Sequence, residues 1–345
     1  MTEASGEVNF RTGDQCSSVI AGERLDFIGQ VLCPLKSRFK EGYDRVALEH
    51  ERRTGRRFKS YVPTVCGGSK SAEETNPGDV LRVMDIADFP DMAASFDYGD
   101  YFSEAFRDRF LGKGHFAAPP RRGVNRDFAD IGLDDPEGEC FVYSGYPIAF
   151  LIDREKLRGR PVPRTWEELL DPIYRKDVTI SGGHGRVGAS VPMHVARAFG
   201  EDAIDRLERN VAQAVHPSEM ARMAGAGRED GTAVYTIMNF FGKARGDKGD
   251  VELVWPDDGA IFDPAFFLLK RGMLDEYRVL VDYVSGADFG RASAANGFPS
   301  ACPEADNGLG EGARLQWLGW DFLRSTDMDA FKARVTAPFR KYLKA

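Results

Sequence analysis

The chain predicts an α/β protein with largely parallel strands, and three observations carry that expectation. Short apolar runs alternate with stretches of helical period along the whole length. Loops bearing glycine and proline close those runs, and 345 residues is long enough that two domains are expected. In open sheets of this class the ligand sits outside the carboxyl ends of the strands. Those ends fall at residues 33–36, 64–70, 86–90, 181–186 and 238–242.

The elements follow in order. Residues 1–23 are polar and Gly/Ser-containing, which predicts a loose arm. Leu25–Leu32 turns from alternating to fully apolar and predicts a strand. Pro34 opens a helix running to about Arg53 and leaves Cys33 as its N-cap. Strands are predicted at Phe58–Pro63 and Val80–Ile86, with Thr64–Lys70 as the loop between them that carries Cys66 and Ser69. Phe102, Phe106 and Phe110 recur on one helical face, a core signature. A long loop over 112–140 leads to a strand at Cys140–Ile152. Thr165 with Glu168 forms a capping box at a helix start. Asp177–Ser181 is a strand that runs into Gly182–Gly188 and a helix; a further helix spans Glu201–Ala214. Strands at Thr232–Met238, Val251–Trp255 and Phe266–Leu269 precede a helix at Leu274–Val284, a loop over 286–312 and C-terminal helices.

Composition excludes some classes. There are 46 basic and 54 acidic residues, a net charge of −8, with no basic stripe, so no nucleic-acid partner is expected. The longest apolar run, Pro147–Ile152, is far short of the roughly 18 residues of a membrane span. The opening residues carry Glu3 and Glu7 and no apolar h-region, so the protein as encoded is expected in the cytoplasm. A true start carrying a leader would place it in the periplasm. The five cysteines (Cys16, Cys33, Cys66, Cys140, Cys302) are odd in number and show no CxxC pair.

Three segments resemble bacterial extracellular solute-binding proteins, the substrate-binding components of ABC transporters, in their ferric-iron-type branch. Residues 143–171, YSGYPIAFLIDREKLRGRPVPRTWEELLD, resemble that family's crossing strand and the helix start after it. Residues 231–271 are similar to its second crossing, and residues 281–300 to its late helix and terminal loop. The resemblance implies a two-lobed type II periplasmic-binding-protein fold with two hinge-crossing strands. Lobe 1 would comprise residues 24–145 plus 264–345, and lobe 2 residues 146–263. A ligand cleft would lie between them. Iron-binding members place two tyrosines where this chain has Phe240-Phe241, and phenylalanine has no oxygen to donate.

The candidate ligand-binding residues are Cys33, Cys66, Ser69, Tyr146, Gly183, His184 and Asn239. Cys33 and Cys66, on neighbouring strand ends, read as metal ligands, as a disulfide, as buried thiols or as a nucleophile. With His184 they would suit a soft metal ion, the one cofactor these residues suggest. Ser181-Gly182-Gly183-His184-Gly185-Arg186 frees backbone N–H groups for an anion at a helix start, and reads equally as a plain turn. Tyr146 and Asn239 would line the crossings. No nucleophile elbow or paired-carboxylate signature appears, so no catalysis is expected. The expected function is binding of a metal ion, metal complex or small anion by hinge closure, with an ABC permease as partner. Two rivals remain: a cysteine-nucleophile enzyme of the thiamin-degrading or thiamin-pyrimidine type on the same fold, and an intracellular metal or cofactor chaperone.

Overall fold

Two long buried strands organise the sheet, and every other strand is placed by pairing that starts from them. The computed structural model describes residues 24–64, 83–96, 98–183, 185–246 and 249–343. The expected N-terminal arm, Cys66, Ser69 and His184 lie outside the described residues.

Strands β1 (Phe27–Gly29), β2 (Ser60–Tyr61) and β3 (Met92–Phe96) run parallel, with Phe27 opposite both Ser60 and Met92. Helix α1 (Lys36–Thr54) connects the first two. It stops at Gly55, whose φ of 73° suits a residue without a Cβ and whose N–H donates to the Glu51 carbonyl at 2.8 Å. Helix α2 (Glu104–Arg109) begins at Ser103, whose Oγ accepts the Phe106 N–H. The chain then enters β4 (Cys140–Asp153), followed by α3 (Arg154–Leu157), β5 (Val178–Gly183), β6 (Arg186–Val187) and α4 (Ser190–Phe199). Next come α5 (Asp202–Asn210), β7 (Val211–Val215), α6 (Pro217–Met223), β8 (Val234–Met238), α7 (Asn239–Arg245) and β9 (Val251–Val254). The return is β10 (Ala260–Leu269), then α8 (Leu274–Ser285), α9 (Ala287–Ala295), β11 (Leu315–Gln316), α10 (Trp320–Ser325) and α11 (Met328–Thr336). The main strand order is β2-β1-β3-β10-β4-β8-β5-β6, with β7 on β5, β9 on β4 and β11 on β10.

Both β4 and β10 are buried from end to end. The first part of β4 pairs antiparallel with β10, and from Ile148 onward it pairs with β8. It therefore belongs to both halves of the sheet, the architecture of a two-lobed type II binding-protein fold. At the changeover Gly145 faces Pro264 and Tyr146 faces Asp263, and a register shift follows at Ala265/Phe266. A Cβ on Gly145 would stand 2.3 Å from the Asp263 carbonyl oxygen and 2.3 Å from the Phe262 ring. Only glycine fits there.

A further link joins the halves. Helix α10 is held to the first half by Arg107, which donates to the Leu323, Arg324 and Thr326 carbonyls, and by Arg324 on the buried Asp135 carboxylate. Helix α11 instead packs on α4 of the second half, where Arg334 makes two hydrogen bonds to Glu201. Beyond it Tyr342 and Lys341 both reach Glu208 of α5. The C-terminal segment from Met328 thus lies against the second half, whereas the sequence reading assigned it to the first.

Other departures have local causes. Residues 80–82 of the strand expected at Val80–Ile86 lie outside the described residues; residues 83–89 form no strand but a turn in which the Asp85 carboxylate accepts the Ala87 N–H, and the third strand starts at Met92 after Pro90. Thr165 does accept the Glu168 N–H at 3.1 Å, but only 3-10 turns follow because Pro172 intervenes. The long helix expected to Ala214 ends at Asn210, whose side chain caps the Leu169 and Asp171 carbonyls, and β7 takes over. Within the expected loop 286–312, α9 forms and anchors Ser144 of β4 through Ser293 at 2.8 Å.

Across the crossing, Ser190 at the start of α4 donates to Asp263, and Tyr98 after β3 donates to the Phe262 carbonyl. His194 lies 5.9 Å from the Tyr98 ring, its Nδ1 on the Ser190 carbonyl at 2.8 Å and its buried Nε2 without a hydrogen-bond partner among the described residues. Burial therefore pushes its pKa down to about 4.

Gly145→Ala should cost about 1–3 kcal/mol in urea unfolding through overpacking at the crossing, and an unchanged midpoint would contradict the close approach. His194 makes a pH prediction. Its pKa lies near 4 folded and near 6.5 unfolded, so between these values the unfolded chain binds more protons and stability falls as pH falls. About 2 kcal/mol should be lost between pH 7.5 and pH 5, and His194→Gln should remove that part of the slope. A slope identical in wild type and variant would show that His194 is not buried as a neutral ring.

Candidate functional site

A cavity of about 220 Å³ opens beside the crossing. Its walls come from separate elements, each delivering a side chain for a local reason. Tyr98 reaches it from the first half, fixed by the hydroxyl bond to Phe262. Tyr146 enters from β4 one residue past Gly145, where strand alternation turns its side chain to the opposite face from its neighbours. Ser181 arrives on β5, and Thr236 and Met238 on β8, spaced two apart as one strand face requires. Ser190 opens α4.

Two cations complete the lining. Arg186 sits in a hairpin in which Gly182 pairs with Val187 and Gly183 with Arg186. Lys332 comes from α11. Both are exposed, and neither forms an ion pair or side-chain hydrogen bond among the described residues. No Asp or Glu lines this cavity.

A second cavity of about 280 Å³ is lined by Asn239, Lys243, Trp255 and residues 308–313. Asn239 is 1% exposed, and among the described residues neither its amide nitrogen nor its amide oxygen has a hydrogen-bond partner. A buried amide left unmet costs about 1–3 kcal/mol, which marks this side chain as awaiting a partner.

The structure thus separates the expected residues. Tyr146 lies in the first cavity and Asn239 in the second, while Cys66, Ser69 and His184 lie outside the described residues. Gly183 is in the hairpin with a φ of 153°, so the glycine-rich run is not a strand-to-helix anion turn; α4 starts only at Ser190. Cys33 is not a helix N-cap either. It lies in a 3-10 turn ahead of α1, exposed and disulfide-bonded. In that state its sulfur is neither a thiolate ligand nor a nucleophile. The remaining described thiols are protonated: burial drives Cys140 far up, and Cys302 to about 11. Among the described residues no group of three or more His, Cys, Asp or Glu could hold a metal ion.

The phenylalanines at the ferric tyrosine position are used in packing. Phe240 stacks on Phe298 at 5.4 Å, and Phe241 meets His216 edge-on. Sequence reasoning missed Thr236 and Lys332. Thr236 lies within a strand that had been recognised, and its alternation with Met238 was the available signal. Lys332 gave none, because only the path of the C-terminal helix brings it to the cavity.

The fold is shared with known binding proteins. AfuA from Actinobacillus pleuropneumoniae, a periplasmic binding protein with fructose-6-phosphate bound, matches at TM-score 0.56 and 15% identity over 92% of this chain and 98% of that one. The Trichodesmium protein IdiA (FutA), in complex with iron and citrate, matches at TM-score 0.60 and 12% identity over 90% and 97%. An extracellular solute-binding protein from Bordetella parapertussis gives 0.58 and 17% over 94% and 99%. A search of curated protein sequences finds no match. The family profile described as bacterial extracellular solute-binding protein aligns with residues 87–326, more than half of the chain. This chain belongs to the bacterial extracellular solute-binding proteins.

Proposed function

We propose that this protein holds one small solute, without chemical turnover, in the cavity beside Tyr146, and that the two halves close on it about the β4/β10 crossing. The observation that carries the proposal is the wall composition. Tyr98 comes from one half, Ser181, Thr236 and Met238 from the other, and Tyr146 from the strand that belongs to both. A ligand that touches all three favours the closed arrangement, because only there are its contacts complete. The Ser181 hydroxyl, which makes no side-chain hydrogen bond among the described residues, is available to such a ligand.

A donor set of hydroxyls and cations suits a polar or anionic solute better than a bare metal ion, which needs carboxylate, imidazole or thiolate ligands. We infer an ABC permease as partner, since family members deliver their solutes in that way. The Cys33 disulfide supports a site of action outside the cytoplasmic membrane, where oxidation persists.

The test is native mass spectrometry of the refolded protein after exposure to a small-molecule extract of bacterial cells. One adduct per chain should form, leave unchanged in mass, and bind about tenfold or more weakly to Tyr146→Ala. Absence of any adduct, or release of a chemically altered molecule, would overturn the proposal.

A further inference from the structure

We propose that Arg186 and Lys332 form a two-cation clamp that makes the ligand an oxyanion-bearing solute, a phosphate ester or a carboxylate. This rests on the cavity reading above and narrows it to a chemical class.

Three observations on separate elements converge. Arg186 stands on the β5–β6 hairpin and Lys332 on the C-terminal helix α11, yet both line the same cavity. Neither has a carboxylate partner among the described residues, while Arg334, two residues from Lys332, is paired to Glu201. No acidic side chain lines the cavity, and the nearby Asp263 carboxylate is engaged by Ser190. An anion held between two cations on the wall of one cavity is attracted by both. The net charge of −8 would otherwise disfavour an anion at long range, so the local pair must supply the attraction.

The placement also orders the events. Helix α11 is fastened to the second half through Glu201 and packs on α4, which contributes Ser190, Val191 and Met193 to the same wall. Both cations therefore travel with the second half. The anion docks there first, and the first half then closes with Tyr98. A guanidinium offers two parallel donors to an oxyanion and an ammonium offers a mobile point charge, so together they can serve phosphate and carboxylate geometry.

The experiment is calorimetric titration of the full chain with inorganic phosphate, glycerol 3-phosphate and citrate, set against uncharged glycerol and cationic spermidine. Wild type, Arg186→Gln, Lys332→Gln and Tyr146→Ala are compared. One or more anions should bind, glycerol and spermidine should not, and each Gln variant should weaken the anion about tenfold or more. Because both cations are exposed and unpaired, the melting temperature without ligand should stay the same in these variants. Phosphate-ester and carboxylate arms then separate the two sources of the oxyanion. Equal anion affinity in wild type and both Gln variants overturns the clamp. A neutral or cationic solute whose binding Tyr146→Ala abolishes overturns the clamp and leaves solute binding standing. No binding of any probe, together with no adduct from the cell extract, overturns both.

Discussion

The antiparallel pairing of β4 with β10 is the constraint on which the rest depends. Both strands are buried along their full length, so their side chains contribute to the core and their backbones hold the ladder together. At the middle of that ladder Gly145 stands opposite Pro264, and the close approach of Asp263 and Phe262 leaves no room for a Cβ at Gly145. There the strand changes partner from β10 to β8 within a few residues. The cavity sits beside it, with Tyr146 as the first side chain past the glycine.

Much of this was legible because buried strands leave strong signals. Cys140–Ile152 reads as one long apolar run, and β4 matches it to within one residue. The two crossings were recognised from segment resemblance, since no periodicity argument tells which strand returns to which half. The third strand was misplaced for a physical reason: Met92-Ala93-Ala94-Ser95-Phe96 is built of small residues, while Val80–Ile86 carries the β-branched and long side chains that mark strands. The helix expected to Ala214 ends at Asn210, where Val211 turns extended and β7 begins, with no glycine or proline to announce it.

The site was less legible. Tyr146 was singled out because it adjoins the crossing and Asn239 because it follows the second, and the two line different cavities. Arg186 was noticed only as part of a glycine-rich run, and that run folds as a hairpin because Gly182 and Gly183 pair back onto Val187 and Arg186. Lys332 could not be found, since its place depends on a C-terminal segment that leaves α10 on one half and lays α11 on the other. Cys33 drew attention for its position ahead of a helix, but its disulfide removes the thiolate on which that interest rested. Cavity-lining residues contributed by distant elements are legible only in three dimensions.

The central claim is that two rigid halves move about the β4/β10 crossing. Leu48 on α1 and Ile173 in the second half are exposed side chains that can be replaced by cysteine and spin-labelled. Pulsed electron paramagnetic resonance then gives the distance distribution between the halves, with an internal pair within one half as reference. The account predicts a between-half distribution broader than the reference, which narrows to a shorter distance when the small-molecule extract is added. A distribution as narrow as the reference, and unmoved by the extract while mass spectrometry shows a bound solute, would contradict hinge closure.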